Sequence, residues 1–232
     1  MKHYLPLLLL LSCMATYHVA QAQSQPRPEV LLETTEGNIR IALYNETPRH
    51  RDNFLRLVDE HFYDSLLFHR VISNFMIQAG DPDSRHAEPG AELGEGDLGY
   101  TIEPEFRLPD IYHRRGVVAA AREGDDVNPE RRSSACQFYI VCRKTLSTAT
   151  LKQVQLRLDT LTNNQVKLTP EQISTYRRIG GTPHLDGQYT VFGEVVEGMD
   201  VVDRIQRKDT DDNDRPVYDV RILRARRSPK LP

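Results

Sequence analysis

Between Phe68 and Asp81 the chain reads Phe-His-Arg-Val-Ile-Ser-Asn-Phe-Met-Ile-Gln-Ala-Gly-Asp. Arg70 brings a permanently charged guanidinium with several N–H donors in fixed geometry. Phe75 and Met76 bring apolar surface, and Gln78 an amide that both donates and accepts. On a strand alternate side chains share a face, so Phe75 and Gln78 cannot both align with Arg70 unless the chain bends between them. Ser73-Asn74 supplies the bend, and an Arg, an aromatic ring and an amide then converge on one groove. Such a groove grips an apolar group and donates hydrogen bonds to polar atoms beside it. It needs no proton transfer, covalent intermediate, metal or cofactor. Taken singly, each residue has a plainer reading: a solvated Arg, two core side chains, and a Gln that satisfies backbone groups.

Other chemistry-bearing patterns fail on context. Gly94-Glu95-Gly96-Asp97-Leu98-Gly99 spells a dinucleotide fingerprint, yet no strand precedes it and Tyr100-Thr101-Ile102-Glu103-Pro104 cannot open a helix. It reads as a flexible glycine loop. Asp209, Asp211, Asp212, Asn213 and Asp214 hint at a calcium loop, but Asp214 stands where Gly is needed and Val220 where a bidentate Glu belongs. A charged surface turn is expected. Cys136 and Cys142 flank one apolar stretch and, on a strand, lie about 20 Å apart, too far for a disulfide. No zinc-hydrolase or serine-hydrolase motif occurs.

The elements that must position the groove follow from pattern. Residues 30–35 and 39–44 flank Glu36-Gly37-Asn38 as a hairpin. Thr47-Pro48 supplies an N-cap and an N1 proline for an amphipathic helix over 48–61. Short strands are expected at 67–72, 75–79, 117–121, 137–141, 190–195 and 218–223, with a second helix at 198–205. Many short strands with Gly, Pro and Asp turns predict a mainly β protein, a closed eight-stranded antiparallel barrel capped by two helices. From 145 to about 181 the chain turns polar and helical. Leu151, Val154, Leu158 and Leu161 form one stripe, and Thr169-Pro170-Glu171-Gln172 carries a capping box. This predicts a helical hairpin inserted into the β domain, near the groove rim. There it either restricts or extends substrate contacts, or is a passive surface elaboration.

The block from Phe68 to Asp81 resembles the signature of cyclophilins, in which F-H-R-V-I is followed by F-M and Q-x-G-D. Gly116–Ala121 is similar to that family's G-x-x-x-M-A strand, and Ser134–Ile140 to its G-S-Q-F-F-I strand. Leu185–Val195 resembles its L-D-G-x-x-x-V-F-G-x-V segment. These ordered motifs cover residues 28–225 apart from the helical insert. The resemblance implies a peptidyl-prolyl cis-trans isomerase with Arg70, Phe75 and Gln78 as catalytic residues. Substrate contacts are implied for His69, Met76, Ala121, Gln137, Tyr139, His184, Leu185 and Tyr189. The chain departs from the pattern at His184, where relatives often carry Trp, at Tyr189 for His, and at Tyr139 for Phe. His184 and Tyr189 are expected to alter peptide affinity and weaken cyclosporin binding, with Arg70 retained.

Composition fits one domain over 28–227: 39% hydrophobic residues leave enough for a core, and a net charge of −3 gives no broad attraction to nucleic acid or anionic membrane. Met1-Lys2-His3, an apolar run from Leu5 to about Ala15, and Ala20-Gln21-Ala22 predict a signal peptide over 1–22. A linker follows over 23–27. Cys13 after Leu10-Leu11-Ser12 leaves open a lipoprotein anchor, and otherwise an exported, periplasmic or secreted protein is expected. The basic residues Arg224, Arg226 and Arg227 read as a frayed tail, and 228–232 as tail. No integral membrane span and a monomer are expected. The partners would be proline-containing unfolded or flexible polypeptides, whether the chain isomerises them or only binds them as a catalytically weak module or chaperone.

Overall fold

The computed structural model describes residues 26–228; the signal-peptide and lipid-anchor readings fall outside them. The strands are β1 (Glu29–Thr34), β2 (Gly37–Leu43), β3 (Arg70–Ile72), β4 (Met76–Ala79), β5 (Thr101–Ile102), β6 (Val117–Ala120), β7 (Ser133–Ser134), β8 (Phe138–Val141), β9 (Val191–Glu197) and β10 (Ile222–Arg227). The helices are α1 (Pro48–Asp59), α2 (Thr148–Leu161), α3 (Pro170–Arg178) and α4 (Met199–Ile205). Eight strands form one antiparallel sheet in the order β10-β1-β2-β9-β6-β8-β4-β3, and β5 pairs with β7 apart from it.

The sheet is a curled half-barrel, which corrects the expected closed barrel. Its edge strands β3 and β10 share no ladder. Instead the segments beside them meet, with Phe68 N–H donating to the Val220 carbonyl (2.8 Å) and Ile222 N–H to that of Leu66 (2.8 Å). The reason is length. β3 has only three residues, and its outer edge is taken up by the aspartate-rich loop, whose Asp214 carbonyl accepts from Val71 N–H at 2.8 Å.

The central strands are buried on both faces, which is why β6 and β8 read as unbroken apolar runs rather than alternating ones. Phe138, Ile140, Val118, Ala120, Ile77 and Phe192 point into the main core with Phe54 and Tyr63. Their neighbours Tyr139, Val141, Val117, Ala119, Met76 and Val191 form a second apolar cluster on the opposite face, joined by Phe75, Leu185 and Tyr189. The period of two thus splits each strand between fold and groove.

Several local readings need correction. Thr47 does not cap α1: its side chain makes no cap bond. The carboxylate of Glu105, far along the chain, accepts from the Arg49 and His50 N–H groups (3.2 and 3.1 Å) and lies 2.7 Å from His50 Nδ1. The last strand begins at Ile222, not Tyr218, because Val220 and Arg221 bridge instead to Phe68 and Leu67. Arg224, Arg226 and Arg227 are strand residues paired with β1, and Arg226 and Arg227 hold Glu33 and Asp59. They are no frayed tail. The hairpin insert is present as α2 and α3, and the Thr169–Gln172 capping box is fully formed. In its stripe Leu151 and Leu158 are buried, whereas Leu161 is exposed.

Candidate active site

The β3–β4 hairpin builds the centre of the site. Ser73-Asn74 makes the expected bend: Phe75 N–H donates to the Ile72 carbonyl (3.1 Å), and Asn74 takes a left-handed φ of 56° that Asn tolerates. The bend is tied down on both sides. Asn74 N–H donates to Gln206 Oε1 (2.9 Å), and Asn74 Oδ1 accepts from Lys144 N–H (2.9 Å). Cross-strand pairing then sets Arg70 opposite Gln78 and Gln78 opposite Tyr139.

Arg70, Phe75, Met76, Gln78, Ala121, Tyr139, Leu185 and Tyr189 line one cavity of about 160 Å³, together with Arg122. Residues far along the chain from the hairpin are thereby gathered beside it by β6, β8 and the 3-10 turn at Pro183–Leu185. The floor is dry: Met76 and Tyr139 are 2% and 4% exposed. Arg70 stands at the rim, its side chain 44% exposed, with Nε 3.4 Å from the Asp214 carboxylate.

Three predicted residues lie elsewhere. Gln137 lines a larger adjoining cavity of about 480 Å³, which shares Gln78, Ala121 and Arg122 with the smaller one. His184 lies behind the rim, its ring stacked on Phe75 at 5.7 Å. Burial, together with His113, Arg157 and Arg143, pushes its pKa down to about 4. His69 is buried and off the cavity, and burial with Arg70 nearby takes it to about 4, against the pull of Asp81. The glycine loop is fastened rather than free. Gly94 and Gly96 carbonyls accept from Gln137 Nε2 (2.7 and 2.9 Å), and Gly94 N–H donates to Asp81.

Two features went unread in the sequence. Gln78 Nε2 donates to Gln137 Oε1 (2.9 Å), so the amide is turned away from Arg70, whose ion partner is Asp214 from the aspartate-rich turn. Arg122 lies over the Tyr189 ring (4.4 Å) and holds Gln188 and Asp125. Its one sequence signal is its place directly after Ala121, where a charged residue leaving a strand reads as solvated.

A cavity this small, below the roughly 300–1,000 Å³ of drug-sized sites, suits one small ring against the buried Met76 and Tyr139, with a guanidinium at its lip. The pattern of comparisons agrees. The family model for cyclophilin type peptidyl-prolyl cis-trans isomerases matches residues 29–227. The chain belongs to the cyclophilin-type peptidyl-prolyl cis-trans isomerase family. A peptidyl-prolyl cis-trans isomerase of Arabidopsis thaliana is 30% identical over 208 residues, covering 89% of this chain and 97% of the relative. A peptidyl-prolyl cis-trans isomerase-like protein of Neurospora crassa is 32% identical over 200 residues, covering 85% and 93%. A cyclophilin from Cryptosporidium parvum shares the fold with a TM-score of 0.62 at 20% identity, over 88% of this chain and 99% of that one. The activity is that of a peptidyl-prolyl cis-trans isomerase.

Proposed function

We propose that the chain accelerates X-Pro rotation in exported polypeptides by seating the proline ring in the 160 Å³ cavity and stabilising the twisted amide with Arg70. Rotating an amide breaks C–N resonance at a barrier of about 18–20 kcal/mol, and the uncatalysed X-Pro reaction takes tens of seconds or more. At the twisted geometry the imide nitrogen gains a lone pair. A guanidinium donates to it and to the displaced carbonyl only at that geometry, which is the interaction that raises kcat. The observation that carries this reading is Arg70 standing at the lip of a cavity floored by Met76, Tyr139 and Leu185. A relative's structure was determined in the presence of the dipeptide Ala-Pro, which supports a proline peptide as occupant here.

Phe75, Met76, Tyr139, Leu185 and Tyr189 are assigned to the proline ring, and Gln78, Ala121 and Arg122 to the wall between the two cavities. The larger cavity receives residues that flank the X-Pro bond. Gln137 acts by holding Gln78. His184 backs Phe75 in the place where relatives often carry Trp, so cyclosporin binds weakly and His184→Trp strengthens it; tight binding in a titration of the unaltered chain would sink that reading. Export rests on Met1–Ala22 alone and is checked by the N-terminal mass of the mature protein, which separates cleavage after Ala22 from lipidation at Cys13. The protein is assigned as a monomer, to be checked by light scattering.

The test of mechanism is an exchange-based cis/trans assay on an Ala-X-Pro-Phe series. Wild type accelerates exchange and Arg70→Ala loses the acceleration while keeping its fold. No acceleration by folded wild type would leave a peptide-binding module instead.

A further inference from the structure

Beneath the cavity floor runs a buried chain of hydrogen bonds that the isomerase chemistry does not require. The Tyr139 hydroxyl lies 3.0 Å from Nε2 of His113, a residue that does not line the cavity. His113 Nδ1 is 3.0 Å from Oδ1 of Asp186, which also accepts the His113 backbone N–H at 2.8 Å. The other carboxylate oxygen accepts from the Tyr176 hydroxyl at 2.6 Å. All four residues are buried: His113 and Asp186 are 1% and 0% exposed, Tyr139 4% and Tyr176 0%. Burial holds both phenols well above the usual tyrosine range, so both remain protonated donors. A carboxylate only accepts, which puts the ring proton of His113 on Nδ1 and leaves Nε2 to accept from Tyr139. Donors and acceptors therefore run in one direction, from the cavity floor to Asp186 and, from the other side, from α3 to Asp186.

The last member is the informative one. Tyr176 belongs to α3 of the inserted hairpin, where it packs with Leu146 and Leu151 and meets Tyr112 edge-on at 5.5 Å. No residue between 145 and 181 lines the cavity, so the insert touches the groove only from behind. Asp186 directly follows the Pro183–Leu185 turn that carries His184 and Leu185, and α2 packs against that same turn.

We infer that Tyr176, Asp186 and His113 are positioning residues for the groove: they pin the Tyr139 ring through its hydroxyl, and through Tyr176 they make the helical insert part of the apparatus that holds the proline floor. This rests on the isomerase reading of the cavity and adds to it a role for residues that touch no substrate. A cavity that seats a five-membered ring depends on the placement of its floor, and a hydroxyl anchored in a buried network cannot rotate away without orphaning His113. The insert is then neither a substrate arm nor a passive elaboration but a buttress.

A double-mutant cycle tests it on the full chain. Tyr176→Phe and Tyr139→Phe each remove one hydroxyl and no ring, and each is expected to lower kcat/KM about three- to tenfold on an Ala-X-Pro-Phe peptide, with KM carrying most of the change. Because Tyr176 acts through the Tyr139 hydroxyl, adding Tyr176→Phe to Tyr139→Phe is expected to change nothing further. A structural effect of Tyr176 alone would instead add in full, and that result, or an unaltered kcat/KM in folded Tyr176→Phe, overturns the inference. If Tyr176→Phe does not fold, His113→Asn takes its place in the cycle, since it keeps a donor for Asp186 and loses only the Tyr139 contact. If wild type does not isomerise, the isomerase reading fails on its own. The cycle is then read in the peptide dissociation constant, where additivity again overturns the positioning role.

Discussion

Arg70, at the rim of the cavity, is weakly held for a residue proposed to carry the chemistry. Its ion pair with Asp214 is 3.4 Å long and both side chains are more than two-fifths exposed, so it contributes at most about 1 kcal/mol. Mutating Arg70 therefore reads chemistry rather than folding. Arg70→Lys keeps the charge but loses the planar fork, and kcat/KM is expected to fall about 10²–10³-fold with the thermal midpoint little changed. A residual rate near wild type would show that charge alone suffices. The histidines at the groove give a second residue-scale expectation. His184, held near pKa 4, is neutral throughout the neutral range, so it contributes no step to kcat/KM between pH 6 and 8. A step near pH 6.5 that disappears in His184→Gln would contradict that placement.

The element that most constrains the site is the return of the insert into the sheet. Between α3 and the Pro183 turn, Gly180 and Gly181 adopt φ of 95° and 139° and run against neighbouring backbone. A Cβ on Gly181 would lie 2.3 Å from the His113 carbonyl, which also accepts from Thr182 N–H at 2.8 Å. Gly181→Ala is thus both overpacked and in a backbone region that side chains avoid, and is expected to lose about 1–3 kcal/mol or more by urea titration. The capping box of α3 is a milder lever. Thr169→Ala removes one bond to Gln172 N–H and is expected to cost about 1 kcal/mol. Two elements were legible for this same local reason: the capping box and the Ser73-Asn74 bend are written within a few residues. The cap of α1 was not, because the group that satisfies it is Glu105, 55 residues from His50.

Across the whole molecule, buried titratable groups set the response to acid and to thiol reagents. His69 and His184 have folded pKa values near 4 against an ordinary 6.5, so the unfolded chain binds their protons first. Their contribution to stability is complete above about pH 6.5 and is lost as pH falls from there toward 4. The denaturant midpoint should begin to drop near pH 6.5, before the carboxylates titrate, and His184→Gln should flatten part of that slope. A midpoint constant down to pH 5 would count against it. Cys136 and Cys142, free and buried, have thiols pushed up to about 11 and about 12, chiefly by burial. Neither is expected to react with a thiol reagent at pH 8 until the chain is unfolded.

Local order and the family could be read from the sequence by itself, because both are carried by contiguous residues. The hairpin at Gly37, the apolar runs of β6 and β8, the insert with its capping box, and the run from Phe68 to Asp81 need no distant partner to be recognised. Only the tertiary structure decided what those pieces face. That β3 stops after three residues and leaves a half-barrel depends on a loop more than 130 residues further on. That Gln78 turns to Gln137, that Asp214 meets Arg70, and that Tyr176 reaches Asp186 and, through His113, the floor at Tyr139 depend on side-chain directions set by packing. Hydrogen bonds and ion pairs between distant segments leave no period in a sequence, since each is satisfied by one atom at one place in space.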